Sequence, residues 1–407
     1  MSEENKLPPL LADKDVALER LRPYLLNPKE DYPEPFYMLE YKGVPISPLK
    51  GIQAISGQKK NGKSLVLAQL MAAILGVGEE NSKTPFYLQG LTVPSRTLEH
   101  LREMHKDLNY LPHALYIDTE MEKLNSAKVL RRVHWLCGWD TKTPNDRFNV
   151  LWLRGVTDKK GEDGRLLERA HTIRYNLIKL AIDYFEPDVV FIDGIRDIIG
   201  DFNDNEESFS LVTDLMALAE ERNICIWNAL HMNPRMSNDD ESKMRGHLGT
   251  ELGNKITDTL VSIKHKDGTT GQVTFTVKQN DARGKDMEDW KFEVTDAAGS
   301  LGIPRIITSA ELPPNNEEQK LREEVDATFK LFAWKNTGAT YTALRDYLKE
   351  QGFSNRKIKL YFDTAQEAGI IYKTDRKYYY KGMGGALPQE TESIPFEKPN
   401  GNEEAPF

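Results

Sequence analysis

Cysteine is nearly absent: the 407 residues hold only Cys137 and Cys225, each in an apolar stretch. Two such thiols make neither a disulfide framework nor a zinc site, so a pair of buried, reduced side chains is expected. Long hydrophobic runs are missing too. None approaches the ~20 residues of a membrane span, and residues 1–13 are polar, acidic and proline-containing rather than signal-like. A cytoplasmic protein with no membrane partner is the expectation. Positive charge is in deficit, with 54 Lys and Arg against 63 Asp and Glu for a net −9. That balance excludes a protein that coats nucleic acid with its whole surface and leaves room only for local basic patches. No repeat at a solenoid period is present.

What is there suits a globular chain, at 39% hydrophobic and 29% charged residues, long enough for one large core and a satellite domain. The most informative stretch is Gly57-Gln58-Lys59-Lys60-Asn61-Gly62-Lys63-Ser64, followed by Leu65. It fits the phosphate-binding pattern G-x-x-x-x-G-K-[ST]. The strand-like Ile52 to Ser56 precedes it and an apolar helix to Leu75 follows, the context in which backbone N–H groups and a helix N-terminus converge on an anion. Lys63 is expected to reach the β- and γ-phosphates of ATP, and Ser64 to hold Mg²⁺.

From Ile46 to Ile307 short apolar runs alternate with helical stretches, the pattern of a parallel sheet covered by helices. The runs are 52–56, 114–117, 150–153, 189–192, 224–228 and 260–263, with 272–277 and 290–294 reading as an antiparallel edge. Residues 76–112 read as an irregular insertion and 159–165 as a mobile Gly-rich loop. Hydrolysis needs a carboxylate for the metal, a group to position water and cations for the charge that develops on the γ-phosphate. The run Val189 to Asp193 is an apolar strand ending in an acid, which makes Asp193 the metal-supporting carboxylate. Leu115 to Glu122 is another, and Glu120 is the candidate base because Asp118 still lies in the strand.

Taken in order, these segments resemble RecA-like ATPases, in particular the hexameric replicative helicases and RepA-type plasmid helicases. Ile117-Asp118-Thr119-Glu120-Met121 looks like their catalytic-glutamate segment. Asn223 to Trp227 followed by Leu230-His231 is similar to their sensor strand, which implies that His231 senses the γ-phosphate. Arg245 to Leu252 resembles a segment facing DNA, behind a loop, Asn233 to Met244, that in the family projects into a central channel; Arg235 and Arg245 are the candidate contacts for single-stranded DNA. Lys278-Gln279-Asn280-Asp281-Ala282-Arg283 looks like the segment that supplies Lys278 or Arg283 to a neighbouring subunit. A homo-oligomeric ring follows from that resemblance.

The expected organisation is an N-terminal amphipathic helix (13–26) and linker over 1–45, a RecA-like P-loop core over 46–308, a linker at 309–316, a winged helix-turn-helix at 317–381 and a disordered acidic tail at 382–407. Three helical stretches followed by two short strands carry the winged-helix reading. Arg356, Lys357 and Lys359 on its third helix, with Lys377 in the wing, are the candidate contacts to duplex DNA, although such modules also serve as protein-interaction domains. The terminal Glu403-Glu404-Ala405-Pro406-Phe407 looks like the tip of bacterial single-strand-binding proteins, which recruit replication proteins. Together these imply an ATP- and Mg²⁺-dependent, DNA-associated ATPase, a helicase or translocase of a mobile element. Two other readings stay open: a DNA-binding regulator that uses ATP as a switch, and a recombination or partner-loading ATPase.

Overall fold

The computed structural model describes residues 14–32, 34–232, 244–256, 258–268, 271–282, 286–307, 316–334, 338–374 and 377–381. The chain divides into two compact units, Met1–Thr308 and Ser309–Phe407. In order, the first contains α1 (Lys14–Leu21), β1 (Tyr37–Tyr41), β2 (Val44–Pro48), β3 (Ile52–Gly57), α2 (Lys63–Leu75), α3 (Thr84–Tyr87), β4 (Leu91–Thr92), α4 (Ser95–His105), β5 (Ala114–Asp118), α5 (Lys123–Cys137) and β6 (Phe148–Trp152). It continues with β7 (Lys159–Lys160), β8 (Leu166–Glu168), α6 (Ala170–Phe185), β9 (Val189–Asp193), α7 (Asn205–Arg222), β10 (Cys225–His231), α8 (Gly246–Lys255), β11 (Asp258–Lys266), β12 (Val273–Ala282), β13 (Trp290–Thr295) and β14 (Ile303–Ile307).

Nine strands form one sheet in the order β14-β13-β12-β11-β3-β10-β9-β5-β6. The five pairings from β11 to β6 are parallel and the three from β14 to β11 antiparallel. The expected mostly parallel sheet flanked by helices is therefore present. Its central strands read as continuous apolar runs because both faces are covered; every residue of β3, β5 and β9 is buried. On one face α2 and α5 share a core cluster containing Leu67, Met71, Val133 and Phe191. On the other, α6, α7 and α8 share a cluster containing Ile178, Leu215, Leu248 and Ile192. α2 is apolar all round and is correspondingly enclosed, with only Ser64 and Leu65 short of full burial.

The chain moves outward from β5 to β6 and then back inward to β9, so the crossover helices α5 and α6 lie on opposite faces. That reversal opens a crevice beyond the carboxyl ends of β5 and β9, the usual place for a ligand in an open α/β sheet.

Several sequence expectations are corrected. The helix expected over 13–26 stops at Leu21, and Arg22–Tyr24 continues as a 3-10 turn with a proline at its start. Its apolar residues stay exposed, Leu18 at 47% and Leu26 at 81%. The core does not begin at residue 46. β1 and β2 form an antiparallel hairpin across that boundary, and Met38, Leu39 and Ile46 are fully buried in the main cluster. The stretch 76–112 holds an ordered helix, α4, with Leu101 fully buried. The expected 159–165 loop holds strand β7 and the turn of the small β7–β8 hairpin. Both cysteines are free and buried, as expected.

The second unit contains α9 (Asn316–Lys330), α10 (Tyr341–Glu350), α11 (Asn355–Glu367), β15 (Ile371–Thr374) and β16 (Lys377–Tyr380). Its own core includes Val325, Phe329, Leu344, Ile358, Tyr361 and Ile371. Thr340 and Ser354 cap α10 and α11, each hydroxyl accepting from the N–H three residues on. The expected acidic tail and the expected linker lie outside the described residues, except for Asn316, which opens α9.

Candidate active site

The loop 57–64 joins β3 to α2. Lys60 at φ +68° and Gly62 at φ +81° bend it back on itself. Only glycine fits at 62, because a Cβ there would lie 2.8 Å from the Phe275 ring. Ser262 Oγ on β11 donates to Asn61 O at 2.5 Å and ties the loop to the sheet. Leu65 packs against the core, and its N–H donates to Gly62 O at 2.9 Å. Gln58 and Lys59 face a cleft at the carboxyl ends of the strands.

Four adjacent strands deliver side chains to this end of the sheet. In register, Gly57 of β3 stands beside His231 of β10, and Asp193 of β9 beside Asp118 of β5. Ser64 Oγ donates to Asp193 Oδ2 at 2.6 Å, and Tyr116 OH donates to the same oxygen at 2.9 Å. Burial nonetheless pushes the Asp193 carboxyl up to about 6, because two hydroxyls do not replace the water lost. A buried carboxylate beside a serine hydroxyl, both hard oxygen donors, suits a cation that takes its remaining ligands from water and phosphate.

Lys63 is buried. Its Nζ donates to Gly57 O at 3.3 Å and lies 3.0 Å from His231 Nδ1. Burial lowers the Lys63 ammonium from its ordinary value, while Asp193 and Glu120 oppose the shift. An ammonium can only donate, so His231 Nδ1 accepts and the ring proton sits on Nε2. That nitrogen is 3.3 Å from Glu120 Oε2, and the hydrogen bond holds the Glu120 carboxyl below the usual range against the effect of burial. Lys63, His231 and Glu120 thus form a chain across three strand ends.

Asp118 does not face this chain. Its Oδ1 accepts from Glu120 N at 2.9 Å and Met121 N at 2.8 Å, and its Oδ2 from Ser126 Oγ at 2.5 Å. It shapes the turn that aims Glu120 outward.

The cleft measures about 820 Å³. Its charged lining is Lys59, Arg154, Arg196 and Arg245 against Glu120 and Asp197, a cationic excess on a chain with net −9. The arrangement calls for a polyanion. A smaller cleft of about 550 Å³ lies at the opposite, amino ends of β9 and β10, where His105, Asp188 and Glu221 line it without any such convergence.

No family model and no curated protein matches the chain.

Of the residues singled out in the sequence, Gln58, Lys59, Glu120, His231 and Arg245 line the cleft. Lys63, Ser64 and Asp193 are not part of its lining; Lys63 is joined to it through His231, and Ser64 is bonded to Asp193. Lys278 is not brought to it; it sits on β12, half-exposed, 3.6 Å from Asp289 Oδ2. Arg235 and Arg283 lie outside the described residues. In the second unit Lys357 is engaged at the surface, with Nζ donating to Glu324 Oε1 at 3.1 Å and lying 4.5 Å from the centre of the Phe353 ring. Arg356 and Lys359 are exposed on α11, and Lys377 begins β16. Sequence reasoning passed over Tyr116, Arg154 and Phe202. Tyr116 carried no signal beyond its place in an apolar strand.

Proposed function

We propose that the chain binds and hydrolyses ATP and is DNA-associated: a RecA-like P-loop core joined to a winged helix, acting as a ring-forming helicase or translocase in replication or transfer of a mobile element. The observation that carries the ATPase reading is the convergence of Lys63, the Ser64–Asp193 pair and the Glu120–His231 pair at the ends of four neighbouring strands.

In this reading Lys63 and the N-terminus of α2 receive the β- and γ-phosphates. Ser64 and Asp193 would hold Mg²⁺, which would supply positive charge against the negative phosphate oxygens. Glu120 accepts a hydrogen bond from the attacking water and orients it, while His231, which links Glu120 to Lys63, registers the terminal phosphate. Arriving phosphate draws the Lys63 ammonium away from Nδ1 and so reorganises the hydrogen bond that pins Glu120.

For DNA, Arg245 supplies a cation at the cleft edge, and the three helices and hairpin of the second unit present Arg356 and Lys359 on α11. The ring rests on the resemblance; the half-exposed Lys278 is available to a neighbouring copy. The experiment is steady-state ATP hydrolysis with and without single-stranded DNA at two salt concentrations, with Lys63→Ala as control. Lys63-dependent turnover, stimulated by single strands and weakened by salt, is expected. Turnover that ignores DNA at both salts removes the motor from the proposal.

A further inference from the structure

We propose that Arg196 binds the terminal phosphate of the nucleotide from within the same chain and makes the site tell a triphosphate from a diphosphate. This rests on the triphosphate reading of the cleft. Arg196 stands three residues past Asp193, in the 3-10 turn Ile195–Ile198. The turn opens at Gly194 with φ +107°, where a Cβ would collide with the Thr119 hydroxyl. The chain therefore folds back across the end of β5 and brings Arg196 to the cleft wall that carries Glu120.

Three observations describe this side chain. It is half-buried, whereas Lys59, Arg154 and Arg245 are exposed. Its guanidinium carbon lies 5.1 Å from the centre of the Phe202 ring, and Phe202 is packed on the core, so the head group is pre-set rather than free in solvent. Among the described residues no carboxylate lies within ion-pair distance of it, while Arg154 lies 4.0 Å from Glu122.

The Arg245 guanidinium lies 5.7 Å from the same Phe202 ring, so two like charges share one aromatic platform. An anion beside them relieves that repulsion. A guanidinium fork suits phosphate oxygens in a bidentate contact, and one preorganised beside the water-orienting carboxylate stabilises charge where it grows. Its charge also contributes to holding the Glu120 carboxyl low.

The test measures equilibrium affinities for ADP and for a non-hydrolysable ATP analogue, both with Mg²⁺. It uses the full chain and its Arg196→Ala, Arg196→Gln and Arg196→Lys variants, with folding followed by circular dichroism. Arg196→Gln keeps part of the stem over Phe202 and guards against a merely structural loss. The analogue should weaken on the order of 10- to 100-fold in the Ala and Gln variants, ADP should stay within about threefold, and Lys should recover part of the difference. Equal losses for both nucleotides, or no loss for either, overturn the proposal. So does unchanged discrimination with a lost response to single-stranded DNA, which would assign the guanidinium to nucleic acid. A wild-type chain that binds neither nucleotide instead refutes the triphosphate reading itself.

Discussion

Tyr116→Phe removes one hydroxyl from the centre of the site and changes little else. Tyr116 is fully buried, and its OH is one of two donors to Asp193 Oδ2, the other being Ser64 at 2.6 Å. Phenylalanine keeps the ring, so the cavity term is small. A hydrogen bond to a charged group contributes about 1.5–3 kcal/mol, and we take about 2 kcal/mol as the expected loss at pH 8. The sign of the pH dependence follows from the carboxyl. The hydroxyl favours the ionised form, so its loss raises Asp193 further above its value of about 6. Below that pH the folded carboxyl is protonated in both proteins and only a neutral hydrogen bond is lost, on the order of 1 kcal/mol. The destabilisation should therefore shrink by about half between pH 8 and pH 5. Urea denaturation followed by tryptophan fluorescence reads this directly, since every tryptophan but Trp334 lies in the first unit. A loss under about 0.5 kcal/mol at pH 8, or a larger loss at pH 5 than at pH 8, would refute the account of Asp193.

Glu120→Gln should bind ATP with near-normal affinity and lose on the order of 10²–10⁴-fold in turnover, measured by phosphate release against equilibrium binding. Gly62→Ala combines a left-handed backbone with a collision against Phe275; about 2–4 kcal/mol of stability should go, seen as a lower urea midpoint. The Asp258 carboxyl accepts from Ser47 N and Gln279 Nε2, yet burial pushes it up to about 6. An acid whose pKa is raised by folding favours the fold at low pH, so Asp258's own contribution to stability should fall by up to about 3 kcal/mol as pH rises from 4 to 6, and Asp258→Asn should remove that part of the slope and leave the part due to Asp193. In the second unit Lys357 is engaged by Glu324 and Lys359 is exposed. Lys359→Ala should reduce the salt slope of duplex binding by about one and Lys357→Ala by less, measured by titration at several salt concentrations.

The parts legible in the sequence were those whose signal is local. β3, β5 and β9 are buried on both faces and stand out as apolar runs, and the buried acids that end β5 and β9 stand out because those runs are otherwise apolar. The glycines and lysine of 57–64 are fixed by backbone geometry and charge, so their spacing alone revealed the loop. The apolar runs read from the sequence include neither β2, which carries Pro45 and Pro48, nor β14, which carries Pro304. Both strands lie at sheet edges, where a missing N–H leaves no gap in a ladder. Tyr116 and Arg196 acquire their roles only when β5 and β9 pair in register and the 194–198 turn folds back. Neither event is written in a local pattern. Lys357 shows the converse: its charge suggested a contact to DNA, and a surface ion pair with Glu324 beside the Phe353 ring engages it within the unit.

The most direct measurement is phosphate release from Mg²⁺-ATP by the wild-type chain beside Lys63→Ala and Glu120→Gln, with nucleotide binding measured on the same samples. The account predicts turnover in the wild type alone, binding retained in Glu120→Gln and binding lost in Lys63→Ala. Equal turnover in all three, or tight binding by Lys63→Ala, would contradict the claim that the chain of Lys63, His231 and Glu120 is an ATP-hydrolysing centre.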